Sequence, residues 1–354
     1  MKARFALVAA SAAAAVALAL PATTHAQNGE WEFWKSFGSP EDSSAIIRLA
    51  IDSQGTLYLS HSGGTDKIIY KSTDVIPALF ADDPPTATVL YQNNDIANGF
   101  QGLVVDSSDN LFVVGDWDGS NPGEVLKFDV NGDPVTDFGD NGVLAVPDAL
   151  RPVGAALTSD EGFLVIASVF GDAIFSVDPV TGDEIVTEAD PDTGTFLRDI
   201  AVRPVDGGDD EIYGNVTSQL WRITGGSATD LSGYTDSVNL TPGLPLSNPQ
   251  GFSVRPSVIH FPADDTVIFS NVNDDEAAVV VYDPVEDEIV QTLEQWGDTP
   301  QNLNQAAGVA AIHAVEDPDN GTQYDLLFVS QFGTAIVVYR KELPTSVEDW
   351  TILH

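Results

Sequence analysis

Arginine side chains recur beside short apolar runs that repeat along the chain. Seven arginines follow residue 26, and five of them flank such runs: Arg48, Arg151, Arg198, Arg203 and Arg255. A guanidinium offers a rigid fork of donors that suits carboxylate, phosphate or sulfate groups. The polar residues at the start of these apolar runs predict an anion-binding site. They are Arg48, Gln101, Arg151, Arg198, Asp199 and Gln250. The alternative is that these arginines pair internally with Asp52, Asp106 and Asp199 and tie repeats together.

Polar residues also end the second apolar run of each repeat. They are His61, Asp116, Asn215, Asn271 and Gln331, with Ser168 at the equivalent place in the third repeat. Side chains of these types commonly cap hairpin turns, which is their first interpretation. They form a second candidate ligand-binding set if their loops share one face of the fold.

The sequence offers no catalytic constellation, and no catalytic residue is predicted. The four histidines after residue 26 are His61, His260, His313 and His354, and no Gly-x-Ser-x-Gly motif accompanies them. His61 and His313 are interpreted as turn or packing residues, because a histidine metal site would need two or three of them to converge. Cysteine is absent, which excludes thiol nucleophiles, Cys-ligated zinc and disulfides.

One loop raises the question of calcium. Residues 129–133, DVNGD, resemble the start of a calcium-binding loop but lack the distal glutamate of an EF-hand. Asn-Gly is also a hairpin-turn signal, and that interpretation is preferred. The Asp pairs at 82–83, 209–210, 264–265 and 274–275 are interpreted as solvated loop charge. No metal ligands are therefore predicted, and calcium is the one cofactor kept open.

The chain is strongly acidic, with a formal net charge of −40 from 14 Lys+Arg against 54 Asp+Glu. Such a surface repels nucleic acid and anionic lipid. The charge fits either a calcium-binding surface or adaptation to a salty medium, in which screening softens the repulsion between carboxylates. The second explanation is favoured.

The first 26 residues have the pattern of a secretory signal peptide. Lys2 and Arg4 precede an apolar run from Phe5 to Leu20, and Thr24-His25-Ala26 offers a small-residue cleavage site. The alternative is a membrane anchor, for which the run is short. We therefore expect a periplasmic or extracellular protein that does not insert into a membrane after cleavage.

An apolar run followed by a polar turn and a second apolar run occurs six times. The last apolar residues of the first runs are Ile51, Val105, Leu157, Val202, Val254 and Ile312. A third run and, in most copies, a weaker fourth run follow. The runs are short, rich in Val, Ile, Phe and Tyr, and bounded by Gly, Asp, Asn and Pro, which is typical of strands and turns.

Six copies of four strands predict an all-β fold, a six-bladed β-propeller of four-stranded antiparallel blades. Residues 27–354 would form this single domain, because a closed ring lets each sheet cover its neighbour. Residues 31–39, WEFWKSFGS, are predicted to be the outermost strand of the last blade. Residues after Pro344 would be an appendage or a competing closing strand. Inner strands line a propeller's channel, so the arginine set would lie at the channel mouth.

Two segments, GLVVDSSDNLFVVGD (102–116) and more loosely LAIDSQGTLYLSH (49–61), resemble NHL-type repeats. FWKSFGSPED (33–42) is similar to the segment between blades in NHL proteins. The gluconolactonase-like propellers share this blade shape. Membership there would imply a divalent metal at the channel mouth, held by one Glu, Asn side chains and an Asp. The matching positions are Ile47, Gln101, Val153, Arg198, Gln250 and Ala307, which include no carboxylate; Asp199 is the only acid beside them.

These observations favour a binding or scaffolding module over an enzyme. Its partner would be a protein, a glycan or a small anionic ligand, and the module itself a monomer. A metal-dependent lactonase or esterase-like hydrolase that uses the central channel is the alternative. A structural partner in a surface complex is a third class.

Overall fold

The computed structural model describes the chain in segments that together contain every strand named below. The segments are residues 29–38, 40, 46–61, 67–93, 99–115, 123–146, 152–168, 173–182, 185–189, 197–216, 219–226, 231–240, 257–271, 278–293, 295–296, 301–302, 306–331 and 335–344. The predicted signal peptide and the residues after Pro344 lie outside these segments. No helix within the segments is long and apolar enough to cross a membrane.

Six four-stranded antiparallel sheets account for nearly all of the regular structure, as the repeats predict. In order from the first to the fourth strand, blades one to three are β2 (Ile46–Ile51), β3 (Leu57–His61), β4 (Ile68–Ser72), β5 (Thr88–Gln92); β6 (Phe100–Val105), β7 (Leu111–Gly115), β8 (Glu124–Phe128), β9 (Val143–Ala145); and β10 (Pro152–Leu157), β11 (Leu164–Ser168), β12 (Ile174–Val177), β13 (Ile185–Ala189).

Blades four and five have the same strand order. They are β14 (Asp199–Arg203), β15 (Glu211–Val216), β16 (Gln219–Thr224), β17 (Asp236–Asn239); and β18 (Val258–Phe261), β19 (Thr266–Asn271), β20 (Ala278–Asp283), β21 (Glu288–Leu293). The sixth blade consists of β24 (Ala306–Glu316), β25 (Gln323–Gln331), β26 (Ala335–Glu342) and β1 (Glu32–Gly38). A small hairpin of β22 (Gln295–Trp296) and β23 (Gln301–Asn302) lies between blades five and six.

The blades form a closed ring. Each first strand contacts the first strand of the next blade, in the order β2, β6, β10, β14, β18, β24 and back to β2. Every seam between neighbouring blades holds its own cluster of buried apolar residues. This is the arrangement that lets a β-sheet bury both faces, because each blade is covered by the one on either side.

The N-terminal strand completes the last blade. β1 pairs antiparallel with β26, from Glu32↔Arg340 to Gly38↔Ala335, and is the outermost strand of that sheet. The backbone N–H of Trp31 donates to the side chain of Gln291 at 2.9 Å, and the Gln291 amide returns a 2.8 Å bond to the Trp31 carbonyl. The start of β1 is thus fixed to blade five as well as to blade six, so one segment secures the closure.

The structure contains one α-helix that the sequence did not predict. α1 (Val75–Ala81) lies between the third and fourth strands of blade one and buries Val75, Ala78 and Leu79. Two turns are too short to give a sustained helical period, which is why the pattern did not reveal it. The helix packs on the seam between blades six and one, where Trp34 meets Phe80 with ring centroids 5.0 Å apart.

The fifth blade corrects the predicted register. The repeat alignment placed its first strand at GFSV, residues 251–254, which lie outside the described segments. The strand that occupies this place is β18, whose Val258 pairs with Phe269 and whose Phe261 pairs with Thr266. The prediction was wrong because His260 interrupts the apolar run of β18, whereas the upstream segment imitates the Gly-led start of the other copies. Gln250 and Arg255 therefore lose their predicted equivalence to Gln101 and Arg203.

Carboxylates at the turns between first and second strands tie consecutive blades together. Ser53 donates its backbone N–H and its hydroxyl to the two oxygens of Asp109 in the next blade, both at 2.9 Å. The same bidentate pattern joins Ser107 to Glu161 and Ser159 to Asp210. These bonds show that the first strands all end at one face of the ring, which we call the turn face; they begin at the opposite one, the entry face.

Glycines let the first strands approach one another at the entry face. A Cβ on Gly102 would lie 3.0 Å from the Val153 carbonyl oxygen, and one on Gly308 would lie 2.8 Å from the Arg48 Cα. At Gly154 it would lie 2.5 Å from the Asp199 Cα. Backbone atoms on the facing strand cannot move aside as side chains do, so the ring diameter depends on these residues having no side chain.

We expect Gly154→Ala to destabilise the ring. The added methyl would overlap the Asp199 backbone, so the free energy of unfolding should fall by about 1–3 kcal/mol, as for overpacked cores. Equilibrium urea unfolding measures it. Gly38→Ala is the matched control, because a Cβ added there would meet no atom within 4 Å, and it should change stability by less than about 0.5 kcal/mol. Equal effects of the two substitutions would contradict this account of the seam.

Candidate functional site

The centre of the entry face is crossed by an ion pair between opposite blades. Arg48 is in the first strand of blade one and Asp199 in that of blade four, three positions away around the ring. The Arg48 Nε lies 3.6 Å from an Asp199 carboxylate oxygen, and its terminal nitrogens donate to the Arg198 and Ile47 carbonyls, both at 2.9 Å. Arg48 is 2% exposed. The guanidinium therefore reaches across the ring and joins two opposite blades.

The partners of Asp199 show why this pair is internal. Its carboxylate also accepts the Ser257 hydroxyl at 2.7 Å and the Val258 N–H at 3.1 Å, which join blade four to blade five. Burial lowers the pKa of Arg48 and raises the pKa of Asp199, because desolvation disfavours both charged forms. Their mutual attraction opposes both effects. For these two residues the structure favours internal pairing, the alternative left open by the sequence.

Arg198 differs from the other arginines that the structure describes. Its backbone N–H bonds to the Asn215 carbonyl at 2.8 Å, and its carbonyl accepts from Arg48. Its guanidinium, however, forms no ion pair or hydrogen bond with any described residue. It is half-buried, and burial lowers its pKa. A partly desolvated cation beside the axis is the strongest anion-binding group in this part of the molecule.

The rest of the predicted anion set is partly outside the described segments. Gln101 is 4% exposed and lies at a β-bulge between Phe100 and Gly102. Equivalent irregularities occur at Ile47 and Val153. Bulges are common beside sites because they redirect a side chain. Arg151 and Gln250 lie outside the described residues, so of the six predicted residues the structure brings Arg48, Arg198 and Asp199 together.

The second predicted set is largely buried. His61 is 7%, Asn215 1% and Gln331 4% exposed. Asn215 donates its side-chain amide to the Ser257 and Ser270 carbonyls, at 3.3 and 3.0 Å, and so joins blade four to blade five. Asp116 and the side chain of Asn271 lie outside the described part of the chain. Asn215 thus has a structural role, but it joins two blades and does not cap its own hairpin turn as the sequence suggested.

Asp264 and Asp265 are a correction to the sequence analysis, which took them for solvated loop charge. Asp265 receives the Arg203 guanidinium at 2.8 and 2.5 Å, and His260 Nε2 lies 3.0 Å from it. Asp264 accepts from the buried Lys341 at 2.6 Å. A single turn of blade five is therefore tied to blade four on one side and to blade six on the other. The prediction failed because the cationic partners are distant in sequence.

Other cations serve the same purpose. Lys35 of β1 contacts Asp82 at 2.8 Å and joins blade six to blade one. Lys71 donates to the Val130 carbonyl at 2.9 Å, and Lys127 donates to the Pro179 carbonyl at 2.7 Å. Each of these bonds crosses to the next blade. No sequence signal marked them, except that both Lys71 and Lys127 occupy the same place in the third strand of their blades.

The loop at residues 129–133 is organised around the Asp129 carboxylate. One carboxylate oxygen accepts the backbone N–H groups of Asn131 and Asp133, both at 2.9 Å, and the other oxygen accepts the Asn131 side chain at 3.2 Å. These bonds lower the pKa of Asp129. The loop is a hairpin turn closed by its own aspartate. Within the described segments, no three His, Asp or Glu side chains are grouped so that they could hold a metal.

No protein-family model matches the chain, and no curated protein matches it. Solved structures do. An auxiliary nutrient binding protein from Bacteroides thetaiotaomicron has a TM-score of 0.54 at 12% identity, over 88% of this chain and 73% of the other. One from Bacteroides ovatus gives 0.53 at 13% identity over the same shares. Virginiamycin B lyase from Staphylococcus aureus gives 0.50 at 13% identity, over 89% of this chain and all of that one.

At these identities the likeness shows the fold alone, a six-bladed β-propeller. Binding proteins and a lyase share it, which is typical of propellers. Membership of the NHL-repeat or gluconolactonase-like family thus remains a prediction, because only the shared fold is shown. The chain belongs to the class of six-bladed propellers, and its function has to be argued from its own residues.

Breaking the pair that crosses the axis should be strongly destabilising. We expect Arg48→Met to lower the free energy of unfolding by about 3–5 kcal/mol, because it leaves Asp199 buried and uncompensated. The double variant Arg48→Met/Asp199→Asn should lose less than the sum of the two single losses. Urea unfolding of the four proteins tests this. Additive losses would show that the two side chains do not depend on each other.

Stability should depend on pH through His260. Burial lowers its pKa, and the neighbouring Asp265 offsets this only in part. Between that lowered value and about 6.5 the unfolded chain binds a proton that the folded chain does not, so stability falls as the pH drops through this window. We expect His260→Gln to flatten the dependence of unfolding free energy on pH in the range below about 6.5. An unchanged slope would contradict this assignment.

Proposed function

We propose that this protein is an exported ligand-binding propeller that holds a small anionic ligand on its entry face, with Arg198 as the group that receives the anion. The observation that carries the proposal is the state of Arg198. In a chain with a net charge of −40, a half-buried guanidinium near the axis has no carboxylate partner in the described segments. Desolvating a cation without a partner is unfavourable, and a bound anion would remove that penalty.

The surroundings of Arg198 favour a single negative charge on the ligand. Arg48 is already neutralised by Asp199, so among the residues that the structure describes Arg198 is the cation left for the ligand at this face. A dianion such as phosphate would also face the Asp199 carboxylate and the acidic surface. A monocarboxylate matches the guanidinium fork and avoids most of this repulsion. We therefore take the ligand to carry one carboxylate.

Export would place the site in the periplasm or outside the cell. The support is the N-terminal signal pattern and the existence of propellers of this fold among nutrient-binding proteins. A protein or glycan that presents a carboxylate would bind at the same site through that group. The hydrolase alternative lacks an equivalent observation, because Asp199, the acid at the matching level, is engaged by Arg48, Ser257 and Val258.

Arg198→Gln tests the site. A panel of monocarboxylates from acetate to benzoate, at constant ionic strength, should raise the melting temperature of the native protein for at least one member. Binding to the folded state alone stabilises by mass action, so tenfold more ligand should raise the melting temperature further. We expect the apparent affinity of Arg198→Gln for that carboxylate to be at least tenfold lower, so that its melting temperature rises much less on addition of the ligand. The melting temperature of the variant without ligand should change little.

Arg340→Gln is the matched control, because it removes the same charge from a surface ion pair with Glu32. It should keep the carboxylate response. Phosphate at the same concentration should give a smaller shift than the best carboxylate. If the native protein and Arg198→Gln respond equally to every carboxylate, the site is not where we place it. If Arg198→Gln mainly lowers stability, the arginine has a structural role instead.

A further inference from the structure

His313 lies on the turn face, at the end of the part of β24 that matches the first strands of the other blades. In blades one to three this level is occupied by residues that close their own hairpin turn. Asp52 accepts the N–H groups of Gln54 and Thr56, and Asp106 accepts those of Ser108 and Asn110. Thr158 does the same in blade three through Phe163. The structural task of this position is turn capping.

In blade six the residue at this level, His313, does not cap the turn. The first two strands of this blade, β24 and β25, are longer, and their turn is capped by Asp317, which accepts the Asp319 N–H at 2.9 Å. His313 is left in the body of the hairpin. The next residue, Ala314, has a left-handed φ of 56°, and the strand register shifts between Ile312 and Val315. A non-glycine residue in this conformation is strained, and such strain tends to occur at functional sites.

The imidazole of His313 is oriented by a buried carboxylate. Its Nδ1 lies 2.6 Å from an Asp325 oxygen, and Asp325 is fully buried. The other Asp325 oxygen lies 3.0 Å from Lys341, which is 2% exposed and also binds Asp264. A carboxylate oxygen accepts a hydrogen bond, so Nδ1 is the ring atom that donates to Asp325. This leaves Nε2 as the ring atom that could exchange a proton with a ligand.

The Nε2 of His313 has no partner among the described residues, and the His313 side chain is 54% exposed. The ring of Phe261, itself buried in the core, supports the imidazole from below, with ring centroids 6.3 Å apart at 66°. The result is an accessible imidazole that is held by a carboxylate through its Nδ1. Orientation by a carboxylate is how catalytic histidines are prepared for proton transfer.

We propose that His313 is the acid–base residue of a second site, on the turn face, that acts on small esters. Asp325 is its positioning residue. Water would add its oxygen to the acyl carbon while Nε2 takes the water proton. The C–O bond to the alcohol would then break, and Nε2 would return the proton to the departing oxygen. The products are one carboxylic acid and one alcohol, with no reactant besides ester and water. Asp325 would stabilise the imidazolium formed between the two transfers.

The test uses the full chain and p-nitrophenyl acetate as the probe, with release of p-nitrophenolate as the signal. We expect His313→Gln to lower kcat/KM at least tenfold and Asp325→Asn to lower it severalfold. His354→Gln, which removes a histidine near the C-terminus, should stay within twofold of the native protein. A native rate no higher than that of free imidazole at equal concentration, or a His313→Gln rate within twofold of native, would overturn the proposal.

Two further measurements separate chemistry from structure. Asp325 is buried, so circular dichroism first checks that Asp325→Asn is folded. If this variant is unfolded, the role of His313 can still be tested in the native protein by modifying its histidines with diethyl pyrocarbonate. Carbethoxylation mapped by mass spectrometry should reach His313 before the other histidines, and the esterase rate should fall in step with it. In folded Asp325→Asn, the ¹⁵N shifts of the His313 ring should show a mixture of tautomers in place of one. Loss of activity without modification of His313 would contradict the assignment.

Discussion

The closed ring is the constraint on which the rest of this structure depends. Each blade has two apolar faces, and each face is covered only if the next blade is in place, so the six seams form together or not at all. Apolar packing has no preferred register by itself. Polar bonds supply it, because every seam carries at least one bond of a carboxylate to a serine, lysine or arginine of the neighbouring blade.

The acidic composition makes these ties distinctive. With 14 Lys+Arg in the chain, cations are scarce, and several of those that the structure describes join different blades. Lys341 and Arg203 hold the turn of blade five from both sides, and Arg48 crosses the axis to the opposite blade. Buried pairs of this kind add little to stability over apolar packing, but they penalise every arrangement in which one partner is left alone. They therefore specify the order and number of blades.

The sequence predicted the fold well because strand patterns are local. The β-branched runs and turn residues of Leu111–Gly115 and its equivalents identify each strand without knowledge of the others. Prediction failed where one residue breaks the pattern, as His260 does in β18, or where an element is too short for a period, as in α1. The candidate site was predictable only in part. Arg48 and Asp199 are both visible in the sequence, but their contact joins residues 151 positions apart and depends on ring geometry.

A repeat structure offers its own standard for function, since the task of a position in several blades can be compared with what the same position does in another. Asp52, Asp106 and Thr158 define turn capping as the task of one level, and glycines define close packing as the task of another. His313 and Arg198 differ from the residues at these levels in the first three blades, and each has a polar group that bonds to no described residue. The departures are on opposite faces of the ring, Arg198 where the first strands begin and His313 where they end, so a substitution at one leaves the other intact.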